Sequence, residues 1–130
     1  MRAAVETADG LYLVDLEDET ILAVDRDDAL PARAPLELSL PRVVDAAAAG
    51  STVIAVVDRR PPLVVSHDAG RTWRETGGGL PRGRAVAIAD DNPDVVLFAA
   101  RNRLYLSEDG GRFWRAIGVE LPRIERIAFD

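Results

Sequence analysis

The sequence predicts an all-β fold assembled from repeated four-stranded antiparallel units. Three observations carry that prediction. Short runs of Val, Ala, Leu and Ile recur along the chain, bounded by Gly, Pro, Asp or Asn, which is the pattern of strands separated by tight turns. The segment Ser66-His67-Asp68-Ala69-Gly70-Arg71-Thr72-Trp73 returns as Ser107-Glu108-Asp109-Gly110-Gly111-Arg112-Phe113-Trp114, a step of 41 residues. The tripeptide Leu-Pro-Arg stands at 40–42, 80–82 and 121–123, at nearly the same step. Four short strands in about 41 residues is the spacing of a β-propeller blade.

In chain order, Arg2 to Thr7 reads as a strand, Ala8-Asp9-Gly10 as a tight turn and Leu11 to Val14 as a second strand. Asp-Gly between apolar runs is a strong hairpin signal. An acidic turn, Asp15-Leu16-Glu17-Asp18-Glu19, precedes a third strand, Thr20 to Val24. Residues 25–35 are rich in Asp, Ala, Pro and Arg and read as a loop, with a short helical turn as the other option. Leu36 to Leu40 alternates apolar and polar residues, so it reads as a strand or an extended approach.

From there the period governs. Each Leu-Pro-Arg opens a unit whose first strand follows: Val43 to Ala48, Ala85 to Ala89 and Ile124 to Phe129. Pro is tolerated at that point because the ladder does not yet need its N–H. Second strands are read at 52–58 and 95–100, third strands at 63–66 and 104–107, and fourth strands begin at Trp73 and Trp114. The alanine run 46–49 has helix propensity, but the repeat register places it in a strand. The turn at Asp91-Asn92-Pro93 ends the matching segment of the next unit.

The repeated segment has a physical reading. A strand ends at Ser66 or Ser107, and the Asp68 or Asp109 carboxylate accepts hydrogen bonds from N–H groups of its own turn. Gly70 and Gly111 take a backbone conformation that a side chain resists. Thr72 follows in the first copy, and Trp73 and Trp114 pack over the hairpin. This S-x-D-x-G-x-[T/F]-W pattern resembles the Asp-box (bacterial neuraminidase) repeat of β-propellers such as sialidases, sortilin-type ectodomains and photosystem II assembly factors. The resemblance implies a structural role for Ser66, Asp68, Gly70, Thr72, Trp73, Ser107, Asp109, Gly111 and Trp114, away from the central channel.

The N-terminal segment belongs to the same series, with its Asp-box decayed: Leu16 stands at the Asp position. Its unit lacks a first strand, whereas 121–130 is a first strand with no unit after it. The expected domain layout is one propeller half. Its first blade is 2–39, completed by a partner's 121–130; the second is 40–80 and the third 81–120. Two chains would then close a six-bladed homodimer by terminal strand exchange, each 124–129 pairing with the partner's 2–7. A segment of a longer propeller is the other reading of these ends.

Composition narrows the chemistry. The 130 residues contain no Cys, one His and 16 basic residues, all Arg, with a net charge of −6. No disulfide or thiolate metal site can form. The charge argues against general nucleic-acid binding, which rests on neutralising phosphates. There is no signal-peptide pattern and no run near the roughly 20 apolar residues of a membrane span. The expectation is a cytoplasmic protein with no cofactor, no metal and no nucleic-acid or membrane partner. His67 occupies a solvent-facing position of the repeat, and Asp90, Asp91, Asn92 and Asp94 read as an exposed turn in preference to a calcium loop.

The candidate ligand residues are Arg42, Arg82 and Arg123, which recur at the start of each first strand. The innermost strand of a blade borders the channel, so these guanidinium groups would ring one mouth and take an anion. Pairing with acidic groups on neighbouring blades is the competing reading. The resemblance to sialidases would require an arginine triad, a Tyr–Glu nucleophile pair and an Asp acid. The only tyrosines, Tyr12 and Tyr105, sit in third strands, the Arg-Ile-Pro opening is missing, and Arg123-Ile124 is followed by Glu125. No catalytic residue is assigned. The leading expectation is a non-enzymatic binding or scaffold module that takes a small anion; a glycan-directed protein and an assembly factor with a protein partner are the alternatives.

Overall fold

The computed structural model describes residues Met1–Asp130 and contains strands and turns but no helix. Twelve strands form three four-stranded antiparallel blades. Blade I takes its outer three strands from the N-terminus: β1 (Arg2–Thr7), β2 (Gly10–Asp15) and β3 (Thr20–Asp25). Blade II is β4 (Val43–Ala49), β5 (Thr52–Val57), β6 (Leu63–Ser66) and β7 (Arg74–Thr76). Blade III is β8 (Ala85–Ala89), β9 (Asn92–Ala100), β10 (Arg103–Ser107) and β11 (Arg115–Ala116). The last strand, β12 (Ile124–Phe129), lies beside β1, giving the order β12-β1-β2-β3 in blade I. The fold is therefore all-β, built of propeller blades.

The innermost strands β4, β8 and β12 pack side by side with β8 in the middle. Blade III is thus the hub. Its Ala87, Leu97 and Leu104 pack with Val5, Val14 and Ile127 of blade I. Its Val86, Val96 and Phe98 pack with Ile54, Val56 and Leu63 of blade II. Blade III presents apolar residues on both faces, which explains why β8 is buried along its whole length and reads as a continuous apolar run. Phe98 also meets Tyr105 and Trp114, with ring centroids 5.9 and 6.1 Å apart.

Within this single chain, 124–129 pairs antiparallel with 2–7, with Ala3 opposite Phe129 and Val5 opposite Ile127, the same strands that the sequence reading paired between two subunits. The first blade is accordingly completed by this chain's own C-terminus, and its strands end at Asp25 rather than extending to residue 39. The reason lies in residues 26–42, a belt of 17 residues that joins β3 to β4 where the other outer-to-inner links have 8 and 7. Lengthening a loop twofold costs only about 0.6 kcal/mol of closure entropy. Recruiting the strand from a second molecule carries roughly 4–15 kcal/mol of lost translational and rotational freedom.

The belt also covers surfaces that would otherwise be bare. Leu38 and Leu40 pack on Ala55, Val57 and Val64, on the face of blade II turned away from blade III. On the corresponding face of blade I, Glu6 and Arg126 form a two-pronged pair at 2.8 and 3.1 Å. Glu6 accepts the Leu30 N–H at 2.9 Å, and Arg126 donates to the Leu30 and Pro31 carbonyls. The pair holds the Glu6 carboxyl below its usual value, chiefly through the Arg126 hydrogen bonds. Farther along the belt, Arg33 bridges to Asp45 of β4. Leu36–Leu40 forms no ladder. Leu38 and Leu40 instead lie on a sheet face, Leu36 stays exposed, and Pro31 and Pro35 supply no N–H for pairing.

Candidate functional site

Antiparallel blades place alternate turns at opposite ends of the molecule. At one end lie the starts of β4, β8 and β12, together with the β5–β6 and β9–β10 turns. This end holds Arg42, Arg82 and Arg123. The structure brings Arg82 and Arg123 together but not Arg42. Arg82, Arg84, Arg101 and Arg123 line one open cleft of about 410 Å³, with Gly83, Ile124 and Glu125 completing it. Arg42 lines a second cleft of about 380 Å³ with Arg59, Leu40, Pro41, Val57 and Val64.

The larger cleft is fixed by main-chain contacts. Ile124 N–H donates to the Arg101 carbonyl at 2.6 Å, which joins the β9–β10 turn to the start of β12. Arg84 N–H donates to the Ala99 carbonyl at 2.8 Å. Arg101 adopts φ 56°, the left-handed region that favours Asn or Gly at such turns. Gly83 is required for contact rather than for dihedral freedom: a Cβ there would stand 2.1 Å from Phe98 Cε1. The loop therefore rests directly on the buried ring, and Arg82 and Arg84 flank that contact.

Charge in this cleft is unbalanced. Glu125 is the sole carboxylate among its lining residues, and it accepts from Arg84 and Arg123, each at 3.2 Å. Arg82 and Arg101 have no ion-pair partner, nor do Arg42 and Arg59. The sequence reading missed Arg84, Arg101 and Arg59. One signal for Arg101 was present, since Arg60 and Arg101 stand 41 residues apart, the same step as Ser66 and Ser107.

The two repeated turns lie at the opposite end. Ser66 Oγ donates to Asp68 Oδ1 at 2.7 Å and accepts the Gly70 N–H at 2.8 Å. Asp68 Oδ1 accepts the Arg71 and Thr72 N–H groups at 3.1 and 2.8 Å, and Oδ2 accepts the Thr72 hydroxyl at 2.6 Å. Ser107 and Asp109 reproduce the set with Gly111, Arg112 and Phe113, without the hydroxyl contact that Phe113 cannot make. Both carboxyls are held below their ordinary value. For Asp68 the first cause is the Thr72 hydroxyl; for Asp109 it is the Phe113 N–H. Gly70 and Gly111 have φ 89° and 93°. Trp73 and Trp114 donate their indole N–H to the Gly70 and Gly111 carbonyls at 3.1 and 2.9 Å. Asp68 is bonded through both carboxylate oxygens, Asp109 through Oδ1 alone. His67 is exposed. No group of three or more His, Cys, Asp or Glu side chains is placed to hold a metal ion, and no helix is long and apolar enough to cross a membrane.

No family model matches the sequence, and no curated protein matches it. Among solved structures, a GH74 enzyme from Niastella koreensis is similar over 91% of this chain and 17% of that one. The identity is 24% and the TM-score 0.49. A GH74 xyloglucanase from Xanthomonas campestris is similar over 92% of this chain and 25% of that one, at 21% identity and a TM-score of 0.37. The chain spans a quarter or less of the length of either enzyme.

Proposed function

We propose that this chain is a non-catalytic binding module of the Asp-box propeller type, and that its ligand is an anion held at the arginine end. The observation that carries the reading is the cleft of Arg82, Arg84, Arg101 and Arg123, in which four guanidinium groups face one carboxylate. Glu125 is shared between Arg84 and Arg123, so the cleft retains two cations with nothing to pair with. A planar guanidinium presents two parallel N–H groups to a carboxylate or phosphate. The repeated Asp turns fit the same reading, because their acids hold hairpins at the end opposite the arginine cleft.

Titration of the folded protein with inorganic phosphate by calorimetry tests the reading. The wild type is expected to bind, and Arg82→Gln with Arg101→Gln to weaken binding about tenfold or more, since a charge-assisted hydrogen bond is worth roughly 1.5–3 kcal/mol. Gln keeps an unbranched polar side chain while removing the charge. An unchanged titration in the double variant would overturn the assignment.

A further inference from the structure

Resting on the anion-binding reading, we propose that the arginine end docks an extended acidic peptide segment of a partner protein, with carboxylates seated in both clefts. The first support is continuity. A Cβ at Gly83, on the floor of the larger cleft, would lie 3.2 Å from Val56 Cγ1, and the next residue, Val57, lines the smaller one. The end of β5 is therefore a common wall, and one short segment of chain reaches both sides of it.

The second support is the distribution of unpaired charge. Arg82 and Arg101 in one cleft, and Arg42 and Arg59 in the other, have no carboxylate within ion-pair distance. No acid lines the smaller cleft at all. A lone phosphate or carboxylate satisfies one cleft and leaves the other charged. Exposed guanidinium–carboxylate pairs are individually weak, so a ligand with anionic groups spaced along a chain gains most from the arrangement, its second contact being made at an effective concentration in the millimolar range.

The third support selects the class of polymer. Neither cleft is lined by Phe, Tyr or Trp. Nucleobases lack the stacking planes on which single-stranded nucleic acid relies. The two Trp side chains are committed to the turns at the far end. That far end carries Asp15, Glu17, Asp18, Asp90, Asp91 and Asp130 around the adjoining turns, in a chain of net charge −6. Arg2, Arg71, Arg74, Arg112 and Arg115 accompany those acids, whereas the two clefts hold the unpaired arginines, to which a short acidic segment is steered.

The experiment uses the whole chain and two probes. A fluorescein-labelled ten-residue peptide of alternating Glu and Gly is followed by anisotropy, and inorganic phosphate by calorimetry. The wild type is expected to bind the peptide, and to ignore a Gln-Gly peptide of the same length. Arg42→Gln with Arg59→Gln is expected to lower peptide affinity about tenfold while phosphate binding persists; Arg82→Gln with Arg101→Gln weakens both about tenfold or more. Circular dichroism confirms that each variant retains its strands. Peptide binding indifferent to Arg42 and Arg59, with phosphate binding intact, overturns this inference alone. So does tighter binding of a single-stranded oligonucleotide of equal charge. Loss of all phosphate binding in the wild type overturns the anion reading beneath it.

Discussion

At the scale of single residues, Asp68 shows how the repeated turn stores pH-dependent stability. Its carboxylate accepts two main-chain N–H groups, the Ser66 hydroxyl and the Thr72 hydroxyl, and all four favour the charged form. Its folded value therefore lies well below the ordinary carboxylate value of about 3.9. The sign follows from proton uptake. As pH falls below that ordinary value the unfolded chain takes up a proton that the folded turn refuses, so stability drops. The contribution is complete above roughly pH 5 and is withdrawn as pH falls through the ordinary value towards the depressed one. Asp68→Asn is expected to be less stable than the wild type at pH 7 in urea titration, with the gap narrowing by pH 3. A gap that stays constant with pH would show that the turn draws its strength from packing. The turn itself was legible, because Ser, Asp and Gly at fixed offsets have few ways to satisfy one another's hydrogen bonds. The arginine cleft was only half legible. Arg82 and Arg123 share a repeat position, but Arg84 and Arg101 reach the cleft from elements whose juxtaposition depends on how blade I packs on blade III.

At the scale of elements, β12 carries the largest structural consequence. Its Ile124 and Ile127 are 1% and 3% exposed, and both lie in the core between blades I and III. Ile127→Ala is expected to cost about 2–5 kcal/mol, the range for deleting a large buried aliphatic side chain. The corresponding change at the half-buried Phe129, on the rim of that core, is expected to cost less. Chemical denaturation of the two variants orders them, and the reverse order would mean that β12 docks through its C-terminal end. Most strands were readable because alternation and turn residues agree. β9 begins at Asn92, earlier than read, since Ala89 pairs with Asn92 and Asp90-Asp91 forms the turn alone. Pro93 is accommodated near the start of the strand, beside the register shift between Ile88 and Ala89. Leu36–Leu40 misleads for a different reason. Alternation reports that one side of an extended segment is apolar, and says nothing about whether the segment joins a ladder or lies on a sheet's face.

At the scale of the whole molecule, the open question in the sequence was which chain supplies the missing first strand. The residues that pair, 2–7 with 124–129, are the same in either case, so pairing preferences cannot decide it. The deciding quantity is reach. Seventeen residues between β3 and β4 span at most about 56–61 Å when extended, ample to return from the outer edge of blade I, across the inner strands, to the start of β4. With the strand supplied from within, a single chain has its ladder, and Leu38 and Leu40 cover part of the outer face of blade II. Sedimentation at micromolar concentration is therefore expected to give a particle of 14.1 kDa, and dilution to leave its Tm unchanged, because no association is coupled to folding. Shortening the belt to the length of the other links, about eight residues, removes that reach and would force strand exchange, so the shortened chain is expected to double in mass. A full-length chain already at twice the mass, with a Tm that falls on dilution, would show that the 17-residue link does not keep the C-terminal strand at home.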